Sequence, residues 1–120
     1  MKLRNLIVGA LLAAACSLGF GQTLMSGATA TGAGTAQALN KNSKTFQAVG
    51  TTSSGSGSVT VAVQCSLDGT NYDTIGTITL TLSTTPASNS FTSADRCNWH
   101  RGNVTAISGT GASVSLFLGM

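Results

Sequence analysis

The apolar residues of this chain recur in twos. Across residues 58–66, Val59, Val61, Val63 and Cys65 alternate with Thr60, Ala62 and Gln64, as in a strand that buries one face. Residues 77–82 repeat the pattern, with Ile78, Leu80 and Leu82 set against Thr77, Thr79 and Thr81. Asp68-Gly69 lies in the polar run between them, so the two segments read as a β-hairpin. Ile75 is out of phase with Ile78, and Gly76 stands between them, which predicts a β-bulge that resets the register. Residues 45–49 read as a strand with Phe46 and Ala48 on one face. At the end of the chain Val114, Leu116 and Leu118 alternate with Ser113, Ser115 and Phe117. Residues 99–107 make a further strand in which Trp99, Arg101, Thr105 and Ile107 share parity. Pro86 marks a connection, and Phe91 opens a short extended piece after it.

Five to seven short strands emerge, separated by Gly, Ser and Thr turns and with no helical period. The predicted class is all-β, a small antiparallel β-sandwich or jelly roll. Residues 45–120 are expected to form that domain. Residues 22–44, small and punctuated by glycine, are expected to be a flexible arm or a first short strand. Residues 1–21 have the order of a secretory signal peptide: Lys2 and Arg4, an apolar run, then small residues. Cleavage is expected before Gln22, so the mature chain is expected to be exported and to carry no membrane segment. A lipoprotein-like site at Cys16 is the alternative.

Composition changes the picture once the leader is set aside. Four cations remain, Lys41, Lys44, Arg96 and Arg101, against Asp68, Asp73 and Asp95, for a net charge of +1 with no glutamate. Scattered cations make no phosphate-binding patch, so nucleic acid is not an expected partner. Cys65 and Cys97 belong to a chain that its leader is expected to take out of the reducing cytoplasm. They read equally as a disulfide or as two buried thiols.

Candidate chemistry is sparse. His100 is the single histidine, and neither a nucleophile motif nor metal-ligand spacing accompanies it. No catalytic residue, metal ligand or cofactor is expected. Asp68, Asn71 and Tyr72 in the hairpin loop, with Trp99, form a candidate ligand-contact loop, and Phe91 is a further candidate for an aromatic platform. The competing reading gives Asp68 and Asn71 to the turn's own backbone, and the aromatics to the core.

Three stretches carry a family resemblance: TLMSGATATGAGTAQAL, KTFQAVGTTSSGSGSVTVAVQCSLDGTNYDTIGTITLTL and RGNVTAISGTGASVSLFLG. In these the chain resembles small virion accessory, head-decoration-type β proteins of tailed bacteriophages. The resemblance implies a non-enzymatic structural or attachment module that self-associates or binds a capsid lattice. The leader departs from that group, whose members assemble in the cytoplasm. The alternative is a secreted bacterial carbohydrate- or surface-binding β module, with a glycan as partner.

Overall fold

The structure, a computed structural model, describes residues 22–38 and 43–119; the expected leader and its cleavage site lie outside them. Among the described residues nine strands follow one another: β1 (Gln22–Ala28), β2 (Gly32–Ala33), β3 (Gln37–Ala38), β4 (Lys44–Thr51), β5 (Ser54–Ser66), β6 (Asp73–Leu82), β7 (Ala87–Ser93), β8 (Trp99–Thr110) and β9 (Ser113–Gly119). No helix occurs among the described residues.

The strands form two antiparallel sheets. One has the order β1-β9-β4-β7, and the other runs β2-β8-β5-β6 with β3 also paired to β8. If β2 and β3 are taken as one interrupted strand, the eight strands fall four to a sheet in the jelly-roll order, successive strands changing sheet except at the β5–β6 hairpin. The expected fold class is therefore found. Strand β1 pairs with β9 and places Leu24 and Met25 in the core. Of the two readings of residues 22–44, β1 answers to the first short strand, and β2 and β3 follow it in the other sheet. β1 shows only two adjacent apolar residues, and β2 and β3, of two residues each, carry no legible pattern of their own.

The hydrophobic alternation builds the core directly. Val59, Val61 and Val63 on β5 and Ile78, Leu80 and Leu82 on β6 point inward. They meet Phe46 and Ala48 on β4 and Val114, Leu116 and Leu118 on β9. The bulge falls where the pattern placed it. Val63 pairs with Gly76 and Gln64 with Thr74, leaving Ile75 as the extra residue. Gly76 is required there, because a Cβ would lie 2.4 Å from Cζ of Phe91.

Strand β8 departs from the simple reading. Its inward row is His100, Gly102 and Val104, while Trp99 faces outward. A second bulge at Thr105, between the pairs Thr60–Ala106 and Val61–Val104, then returns Ile107 to the core side opposite Val59.

Candidate functional site

Register alone brings the chemistry to one end of the sandwich. Cys65 pairs with Asp73 on one side and His100 on the other. The β5–β6 loop, the start of β8 and the start of β4 therefore share that end. Every charged residue among those described lies there: Lys44, Asp68, Asp73, Asp95, Arg96 and Arg101. The opposite end is built from connections over residues 29–31, 52–53, 83–86 and 111–112, which carry no charged side chain.

The loop at the charged end is fixed from within. Ser66 Oγ accepts from the backbone N–H groups of Asp68 and Gly69 and donates to Asp68 Oδ1 at 2.9 Å. Asp68 Oδ1 also accepts from the N–H groups of Asn71 and Thr70, both at 2.8 Å, and Oδ2 accepts from Asn71 Nδ2 at 2.8 Å. The backbone N–H groups of Asn71 and Thr70, then the side chains of Asn71 and Ser66, hold the Asp68 carboxyl well below its ordinary pKa. Asp68, and Asn71 through its backbone N–H and Nδ2, thus bond within the turn itself. Gly69, with φ of +78°, adopts the left-handed conformation that suits glycine. It lies against the indole of Trp99, where a Cβ would meet Nε1 at 3.2 Å.

A disulfide closes this end. Cys65 and Cys97 are bonded with their α-carbons 5.7 Å apart, which resolves the two readings of that pair. Above it lies an open depression of about 280 Å³ lined by residues including Leu67, Asp68, Asn71 and Asp73. That volume falls just short of the ~300–1,000 Å³ of enclosed small-molecule sites. Cys65, Cys97 and Asp95 bring their ligating atoms within 4.8 Å of one another. In the bonded state, however, neither sulfur is a thiolate that can hold a metal.

Behind the disulfide lies a buried ionic group that the sequence reading did not assemble. Lys44 Nζ donates to the backbone oxygen of Asp95 at 2.8 Å and to its Oδ1 at 3.3 Å. His100 Nε2 stands 2.8 Å from the same Oδ1. Since an ionised carboxylate only accepts, Nε2 carries the hydrogen. Burial pushes the Asp95 carboxyl up, but the Ser93 hydroxyl, His100 and the N–H of Cys97 together outweigh it and hold the pKa at about 2. Lys44 and His100 are fully buried, and the His100 ring packs on Phe46 at 5.7 Å between centroids. The parity of Lys44 with Phe46 and Ala48 was a readable sign that its stem turns inward.

The expected contact residues divide accordingly. At this end Trp99 is exposed and Tyr72 partly so, whereas Phe91 stacks on Phe46 at 5.3 Å. Three residues absent from the expected set complete the surface. Leu67 is 70% exposed and Trp99 36% exposed, at the same tip. The Arg101 guanidinium lies 3.9 Å above the centre of the Tyr72 ring, and its Nε donates to Gln64 Oε1 at 2.9 Å.

No family model and no curated protein matches the chain by sequence. Among solved structures it is similar to PBSX exported protein XepA, with a TM-score of 0.50 and 11% identity over 82% of this chain. The likeness is one of fold. The match takes in 36% of that protein, so the chain corresponds to about a third of its length.

Proposed function

We propose that the chain is a non-enzymatic structural and attachment module, most like a virion surface protein of the decoration or fibre kind, that makes its contact through the disulfide end. The observation that carries this reading is the polarity of the molecule. Exposed Leu67 and Trp99, the charged side chains and a covalently stapled loop share one end, and a neutral Gly/Ser/Thr surface forms the other. Exposed apolar and aromatic side chains on a rigid support suit a contact that orders few new groups when it forms. The burial of His100 against Asp95 supports a stabilising role for it, not an acid–base one. The likeness to a protein named as exported agrees with export of this one. Self-association or a capsid lattice is the partner this reading favours.

A second reading, a secreted carbohydrate- or surface-binding module, draws on the exposed Trp99 at the same end as the Arg101–Tyr72 pair. Co-sedimentation of the mature protein with candidate capsids, and separately with insoluble glycans, tests both. Binding that disappears in Leu67→Ser/Trp99→Ala is the expected result. Sedimentation with neither material, or binding indifferent to those substitutions, contradicts the reading.

A further inference from the structure

Resting on that attachment reading, we propose that the tip takes a carboxylate-bearing saccharide, with Arg101 holding the carboxylate and Trp99 lying against the sugar ring. The guanidinium of Arg101 is fixed in plane before any ligand arrives. One face lies on Tyr72 and the Nε donates to Gln64, which in turn donates through Nε2 to Thr74 Oγ1 at 3.4 Å. No described residue takes a hydrogen bond from its two Nη groups. A planar pair of free donors held in one orientation matches the two oxygens of a carboxylate.

Trp99 stands two residues before Arg101 on the same outward face of β8. Same-face neighbours on a strand are separated by roughly 6.5–7 Å, a spacing that lets one sugar ring lie on the indole while its acid group reaches the fork. Gly69 lies against the indole, and Trp99 as a whole residue is 36% exposed. The attraction does not come from a broad positive field, because the exposed Asp73 offsets the exposed Arg96 nearby. Fork geometry decides, and the interaction weakens in salt.

An extended acidic peptide fits less well. Strand β8 is paired on both sides here, Arg101 with Gln64 of β5 and Trp99 with Ala38 of β3. At these residues β8 leaves no free edge of its own to take up a peptide backbone.

Trp99 is the only tryptophan of the chain, so its emission reads the site directly. The mature disulfide-bonded protein is titrated at low salt with a hexuronic acid oligomer, its neutral methyl ester and polyglutamate. The expected result is a saturable change with the acid and binding of the ester at least about tenfold weaker. Arg101→Lys, which keeps the charge and loses the fork, is expected to weaken binding of the acid about tenfold at an unchanged melting temperature. Equal response to acid and ester, stronger binding of polyglutamate, or no response to the acid overturns the inference. Protein that sediments with a capsid lattice yet ignores the acid overturns this inference alone. Protein that does neither overturns the attachment reading as well.

Discussion

Opening the Cys65–Cys97 bond is the perturbation with the largest expected effect on stability. The two cysteines are 32 residues apart in sequence. The chain-entropy treatment of a loop that size gives about 3–4 kcal/mol of stabilisation at 25 °C. Domains of this kind have total stabilities of roughly 5–15 kcal/mol, so the bond contributes a substantial fraction. For a domain near 100 residues, each kcal/mol moves the melting temperature by roughly 4–8 °C. Reduction is therefore expected to lower it by an amount on the order of 15–30 °C. Thermal unfolding followed by circular dichroism, with and without reductant, measures this. Cys65→Ala/Cys97→Ser provides a variant that reductant cannot affect. Mass spectrometry should show a gain of about two daltons on reduction of the native protein, as two thiols form. A drop below about 5 °C would refute the reasoning. It would mean that the Ser66–Asp68 turn and the core rows hold the hairpin tip without the covalent link.

Further outcomes follow from the ionic group, the bulge and the buried histidine. The Asp95 carboxyl is held at about 2, below its ordinary 3.8. The stabilisation it gives is full above about pH 4 and is lost as pH falls through about 2. Urea unfolding across that window should show a shallower pH dependence in Asp95→Asn, with Asp68, also held low, supplying the remainder; an unchanged dependence would contradict this assignment. Gly76→Ala should destabilise by about 1–3 kcal/mol through crowding of Phe91. In a Phe91→Leu background that loss should shrink, and equal losses in both backgrounds would refute the contact. His100→Ala should lower the unfolding midpoint while leaving co-sedimentation intact, and lost binding at an unchanged midpoint would reverse the role given to His100.

Legibility in the sequence followed the length of the alternating runs. The β5–β6 hairpin, its bulge at Ile75 and the closing strand β9 were readable, because each carries three or more apolar residues in strict period with a turn or glycine at its limit. Strand β8 was not, because its inward positions hold His100 and Gly102 while its large aromatic, Trp99, faces out. The Thr105 bulge then gives Ile107 the same numerical parity as Trp99 on the opposite face. Asp68, Asn71, Tyr72 and Trp99 were visible as a loop and a neighbouring aromatic. That Asp68 and Asn71 serve the turn follows from short-range bonding. That Arg101 covers Tyr72 follows from pairing between β5 and β8, residues 37 apart in sequence at the Gln64 contact. The meeting of Lys44 with Asp95 depends likewise on contact across 51 residues of sequence. No local pattern encodes such meetings.

The central claim, attachment through the disulfide end, is tested most directly by hydrogen exchange on the protein free and bound to the particle or surface that it sediments with. The account predicts new protection over residues 66–73 and 97–101, with residues 52–57 and 108–112 exchanging as in the free protein. Protection confined to the neutral Gly/Ser/Thr end would contradict it.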